Sequence, residues 1–309
     1  MYEYGIDFAA VDAIDIHTHV EVDSHGHTAT DDELSAATRQ YFKLGPESGS
    51  TVDTLAEHYR QRNIAAVVFT IDAESASGHV PNSVEDMVEG AARNNDILIP
   101  FGTVDPWKGQ RAVRRVHSLV HEYGVKGFKF HPSVQAFDPN DRRFYPIYEA
   151  IAEAGVPALF HTGQTGLGAG LPGGYRIKLR HSDPILLDDV AADLPEMTIV
   201  MAHPAVPWVD SQIAIATHKA NVYIDLSGWS PKYFPPQLVH AANRQLKTKV
   251  LFGTDFPFIQ VDRWRRDFET LDMDPDVLPL IFKQNAMRVL GLPDQRDEFS
   301  GRHRSIPVS

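Results

Sequence analysis

The chain has 309 residues, 43% of them hydrophobic and 23% charged, the balance of a globular protein able to build a large core. Its net charge of −12 offers no basic surface for nucleic acid, and no apolar run nears the roughly eighteen residues of a membrane span. Without cysteine there is no disulfide, thiolate ligand or cysteine nucleophile, so any metal must be held by His, Asp or Glu.

The opening MYEYGIDFAAVD lacks the basic and apolar regions of a signal peptide, so a cytoplasmic location is expected. Short apolar runs then alternate with stretches of helical periodicity. The runs predict strands over Ala13–His17, Ala65–Ile71, Ile97–Val104, Gly127–His131, Ala158–His161, Thr198–His203, Val222–Leu226 and Val250–Gly253. Helices are predicted over Thr51–Arg62, Ser83–Asn94, Gln110–Tyr123, Arg143–Ala154, Asp183–Leu194, Trp208–Ala220, Pro235–Leu246 and Pro275–Leu290. The first of these opens on Thr51-Val52-Asp53-Thr54, which supplies N-cap residues.

Eight strand–helix repeats rich in Val, Ile and Phe predict one parallel (β/α)8 TIM barrel over 1–292. Residues 293–309 read as a polar tail able to pack on a neighbouring subunit, so a homo-oligomer is expected. Two connections exceed the usual loop length. Val20–Ser50 follows the first strand and carries His25, His27 and Tyr41-Phe42. Thr162–Asp183 follows the fifth and is rich in glycine. Both should emerge at the C-terminal face, where barrel enzymes place their chemistry.

The polar residues that end these strands form a pattern. Asp15-Ile16-His17-Thr18-His19 puts two imidazoles on one face of the first strand, since residues two apart share a face. Lys129 and His131 end the fourth strand, His161 the fifth, His203 the sixth and Asp255 the eighth, in Gly253-Thr254-Asp255-Phe256-Pro257. Imidazoles gathered at one barrel mouth require a cation or a proton-transfer task to offset their desolvation. A single divalent ion is expected, zinc first, with manganese or iron as alternatives.

The H-x-H, the histidines ending strands five and six, and F-G-T-D-F-P on strand eight resemble the amidohydrolase superfamily. The similarity is greatest to amidohydrolase family 2, the branch of the aminocarboxymuconate semialdehyde decarboxylase relatives. It runs from Ile14 to Leu292 and ends in Q-N-A-M-R-V-L-G-L. The resemblance implies metal ligands at His17, His19, His161 and Asp255, with His203 and Asp255 catalytic. Two-metal relatives carry a carbamylated lysine near the position of Lys129; this branch works mostly with one metal, and Lys129 is read as holding a substrate anion. I-D-I-H-T-H-V-E-V, G-F-K-F-H-P and H-T-G-Q-T-G further resemble members that hydrolyse 4-hydroxyphenyl-β-ketoacyl-CoA.

These residues suit hydrolysis of a carbonyl by activated water, and equally the metal-dependent nonoxidative decarboxylation of a phenolic or unsaturated acid. A barrel that only binds a small acid or metal is the non-enzymatic alternative. The expected partner is a small acidic or CoA-linked substrate. The basic run from Tyr175 to Arg180, with Arg176 foremost, would clamp its anion. Lys129 and His131 would bind near the reacting carbon, and Trp229 and Phe256, with Tyr233, Phe234 and Phe258, would form an aromatic wall.

Overall fold

The computed structural model describes residues 1–45 and 49–292, so the tail expected over 293–309 lies outside the described residues. Eight parallel strands lie among them: β1 (Ala13–His19), β2 (Ile64–Phe69), β3 (Leu98–Pro100), β4 (Phe128–Phe130), β5 (Ala158–His161), β6 (Ile199–Ala202), β7 (Val222–Asp225) and β8 (Val250–Leu251). Regular ladders join β1-β2-β3 and β4 through β8 in chain order. The two arcs meet at both seams. Gly102 pairs with Phe128, and Lys129 N–H donates to the Gly102 carbonyl at 2.8 Å. Thr18 pairs with Phe256, and Ile16 N–H donates to the Phe252 carbonyl at 3.0 Å.

The strands are apolar on both faces because helices cover the outside and side chains fill the inside. Phe130 on β4 shows the outer packing: its ring stacks on Phe160 of β5 and meets Tyr148 edge-on. The covering helices are α2 (Val52–Arg60), α3 (Val84–Arg93), α4 (Gln110–Ser118), α5 (Tyr145–Glu153), α6 (Leu186–Asp193), α7 (Val209–His218), α8 (Pro236–Asn243) and α10 (Asn285–Val289). Thr51 caps α2 in a reciprocal box with Thr54, which satisfies two otherwise orphaned amides.

Beside two single-turn helices at Glu74–Ser77 and Pro132–Gln135, two longer helices were not expected. The insertion after β1 holds α1 (Asp32–Phe42), capped by Asp31, whose carboxylate accepts from Leu34 N–H at 2.8 Å. Its inner face is sparse, with Leu34 and Thr38 buried, so helical periodicity is weak there. The other is α9 (Val261–Phe268), lying between β8 and the closing helix and anchored by the fully buried Trp264. The closing segment is also shorter than Pro275–Leu290: a wider-pitched turn at Leu280–Gln284 leads into α10. The strands β3 and β8 are likewise shorter than expected, because the chain beyond them makes isolated bridges rather than ladders.

Candidate metal centre

β1 carries the first two donors. A register shift between Asp15 and Thr18 interrupts its pairing with β2, and the Asp15 carboxylate accepts from His17 N–H inside that irregularity. The second Asp15 oxygen takes hydrogen bonds from Tyr59 and Thr254, tying β1 to α2 and to the end of β8. Beyond the shift His17 and His19 share a face, and their Nε2 atoms stand 3.2 Å apart.

Asp255 completes this corner. Its Oδ1 lies 3.2 Å from His17 Nε2 and 3.0 Å from His19 Nε2. Its backbone sits in the left-handed region at φ 68, and that of His203 at φ 71. L-residues enter that region at a cost, which the surroundings here must over-determine. Asp255 N–H donates to the His17 carbonyl at 3.0 Å, and Gln212 donates to the His203 carbonyl at 2.7 Å.

A carboxylate sets the tautomer of His17. Its Nδ1 lies 2.6 Å from Asp225 Oδ2 at the end of β7, and the Asp225 carboxyl stays below the usual range: burial pushes it up, but His17 beside it more than compensates. An ionised carboxylate only accepts, so His17 keeps a proton on Nδ1; burial and Lys129 pull its ring down, but Asp225 and Asp255 outweigh them and raise it. Burial pulls His19 down to about 4, so that ring is neutral. Asp255 is held well below the carboxylate range: burial opposes ionisation, but hydrogen bonds from His17 and His19 outweigh it.

Once a cation displaces the Nε2 protons these rings share with Asp255, two lone pairs and a carboxylate oxygen would face one point. Donors held 2.0–2.2 Å from one ion stand roughly 2.8–3.6 Å apart, from right-angled to tetrahedral coordination, a range that takes in the spacing of these three. The donor set fits a divalent cation.

On the opposite side His203 Nε2 and His161 Nδ1 are 3.0 Å apart, and His203 Nδ1 lies 2.9 Å from Ser227 Oγ. Ligand atoms of His17, His203 and Asp255 also fall within 4.8 Å of one another. His161 Nε2 is buried and has no hydrogen-bond partner among the described residues. The His131 ring stacks on that of His161 at 3.8 Å. Lys129 is fully buried on the floor, its Nζ 3.2 Å from His17 Nε2, and burial pulls it down to about 7. It therefore does not project into the mouth.

One cavity joins His17, His19, Lys129, His131, His161, His203 and Asp255, with Trp229, Phe42 and Phe258 on its walls. Several expected substrate contacts fall elsewhere. Phe256 is buried behind the site against His58, ring centroids 4.4 Å apart, Phe234 is buried against Trp264 and Tyr233 is exposed; of that group Trp229 and Phe258 reach the wall. Arg176, with Lys178 and Arg180, lines a separate surface cavity beside Asp138, Asp141 and Trp107. The loop from β5 turns through left-handed residues from Gly173 to Arg176 and carries the run away from the donors.

The sequence reading missed Asp225, Ser227 and Phe42. A carboxylate ending an apolar strand run was the available signal for Asp225; nothing local marks the other two.

A family model described as amidohydrolase, Amidohydro_2, matches residues 14–292. A search of curated proteins finds no match to the chain. Similar solved structures include an uncharacterized TIM-barrel protein of Bordetella bronchiseptica, 22% identical with TM-score 0.73, covering 90% of this chain and 98% of that one. Another is 5-carboxyvanillate decarboxylase of Novosphingobium aromaticivorans complexed with manganese and 4-hydroxy-3-methoxy-5-nitrobenzoic acid, at 16% identity and TM-score 0.65, covering 94% and 98%. A third is a probable 2-pyrone-4,6-dicarboxylic acid hydrolase of Acinetobacter baumannii with citric acid bound, at 16% and 0.60, covering 91% and 100%. At such identities these structures speak for the barrel alone. The family match spans every strand of that barrel and all of its strand-end donors, and the chain belongs to amidohydrolase family 2, a family of enzymes.

Proposed function

We propose that the chain is a metal-dependent hydrolase acting on a carbonyl carbon of a small acid. The observation that carries this is the convergence of His17 Nε2, His19 Nε2 and Asp255 Oδ1, each within 3.2 Å of the others, on the floor of a cavity. Those three, with His161, would hold one divalent ion, zinc first for its affinity for imidazole; the manganese-bound neighbour makes manganese the alternative. Such an ion lowers the pKa of bound water to about 7 and polarises a carbonyl.

The chain's own groups supply the rest. Asp255 takes a proton from the attacking water and returns it to the leaving group. His203, its Nδ1 held by Ser227, would offer Nε2 to the developing oxyanion once His161, which it now faces, turns to the ion. Lys129 sits below them as a buried cation for a substrate carboxylate. Hydrolysis of an aromatic β-ketoacyl-CoA is a finer version of this reading, but its carrier clamp has no support from Arg176, Lys178 and Arg180, which line another cavity.

Nonoxidative decarboxylation is the second reading, favoured by Lys129. A buried ammonium beside the donors would hold the departing carboxylate of an acid. One experiment separates the two. Metal-loaded protein is incubated in ¹⁸O-water with ester, lactone, thioester and phenolic acid panels. Label in a product carboxylate supports hydrolysis; CO₂ release with no label in the organic product moves the assignment to decarboxylation.

A further inference from the structure

A second chamber opens beside the metal cavity and shares four wall residues with it: His19, His131, Leu167 and Phe258. Its roof is α1, through Leu34, Ser35 and Thr38, and its floor is the barrel mouth at Val20, Ile71 and Val134. The walls are chiefly aliphatic and aromatic. The polar groups among them are mostly spent on the protein itself. Thr38 donates to the Leu34 carbonyl, Ser77 to that of Ala73, and Arg39 to that of Gly45. His79 is paired with Asp31, and the Tyr175 hydroxyl also donates to Asp31.

Glu21 also lines the chamber, its carboxyl pushed up to about 7 by burial against the pull of Arg39. Asn82 differs from all of these. It lines the chamber, is only 4% exposed, and its Nδ2 donates to the Glu21 carbonyl at 2.9 Å. That bond fixes which way the amide faces, because a flipped amide would set two oxygens against each other. Oδ1 is then a buried acceptor, and it has no partner among the described residues. Buried acceptors are nearly always satisfied, and an unsatisfied one calls for a donor from outside.

We propose that this chamber binds the non-reacting end of the substrate, an apolar aryl or alkyl body that ends in a hydroxyl or N–H, with Asn82 Oδ1 accepting the terminal hydrogen bond. The assignment rests on the hydrolase reading for the position of the reacting carbonyl, at the shared wall of His19 and His131. It adds which class of acid the enzyme selects. A plain hydrocarbon tail leaves Asn82 unsatisfied.

Calorimetry on the full, metal-loaded chain tests this with two pairs of probes: 4-hydroxyphenylacetate against phenylacetate, and 3-(4-hydroxyphenyl)propanoate against 3-phenylpropanoate. In at least one pair the hydroxylated acid should bind about 10-fold tighter. Asn82→Ala should erase that preference while the plain acid keeps its affinity. Should Asn82→Ala fail to fold, Leu34→Trp, which fills the chamber from the roof, should abolish binding of both members of the preferred pair. Equal affinities within both pairs, no binding of any probe, a preference that survives Asn82→Ala, or binding unaffected by Leu34→Trp would each overturn the assignment. Because binding and not turnover is read, the chamber stands or falls separately from the labelled-water assay of the hydrolase reading.

Discussion

His161 and His203 face each other across one hydrogen bond, and counting their nitrogens separates their roles. His203 has both occupied, Nδ1 by Ser227 and Nε2 by His161, whereas His161 keeps a buried, unpartnered Nε2. Proximity alone would make His203 a ligand, since one of its nitrogens lies within 4.8 Å of a His17 nitrogen and an Asp255 carboxylate oxygen. The hydrogen-bond account favours His161. His161→Ala should therefore lose the metal, and His203→Ala should keep it while kcat drops by about 10²–10³-fold. Elemental analysis beside steady-state kinetics checks both; metal lost from His203→Ala reverses the roles. The strand-end histidines were legible in the sequence because each one closes an apolar run. Asn82 and Ser227 were not, since a polar residue in a loop looks the same whether or not it reaches a site. Phe256 and Phe258 were both expected on the wall and only Phe258 reaches it, since the chain turns through the left-handed region at Asp255 just before them.

Connections between elements hold the donors in place, and Gly228 after β7 shows how little room they leave. Its φ is +75, and a Cβ there would stand 2.3 Å from His203 Nδ1. Gly228→Ala should displace the imidazole and reduce kcat at least about 10-fold while metal content stays near one ion per chain. Kinetics with elemental analysis checks this; unchanged kcat would show that His203 has slack. The roof helix α1 makes a different kind of prediction. Asp31 caps it and also receives the Tyr175 hydroxyl, so one carboxylate ties the insertion after β1 to the loop after β5. Asp31→Ala should weaken α1 by about 1 kcal/mol. Hydrogen exchange at Leu34 to Thr38 should quicken and KM rise, with the melting temperature of the barrel little changed. The insertion itself was visible as an overlong connection. Its helix was not, because only one side of α1 is covered and that side carries few large apolar residues.

The repeat of strand and helix made the barrel readable at the scale of the whole molecule, since eight buried parallel strands need helices on the outside and closure removes both edges. The exact run of each strand was not readable, because apolar character continues past the last ladder bond, as at Phe101 to Val104 after β3. No described helix is long and apolar enough to cross a membrane.

Stability against acid depends on a histidine outside the site. His58 on α2 is half-buried, its Nε2 has no hydrogen-bond partner, and its ring stacks on Phe256. Burial, aided by Arg62 and opposed by Asp262, pulls it down to about 4. The unfolded chain protonates the same residue near its ordinary value of about 6.5. Between those values the unfolded state binds more protons, so this contribution is whole above about pH 6.5 and is lost progressively as the pH falls toward 4. His58→Phe keeps the aromatic stack and removes the proton. Melting curves should be compared after chelation of both proteins, so that donors in the metal cavity contribute equally. The variant should match the parent at pH 8 and exceed it by about 2 °C or more at pH 4.5. A constant difference across that range would mean that His58 acts through packing, and its protonation would have no part in the acid sensitivity of the barrel.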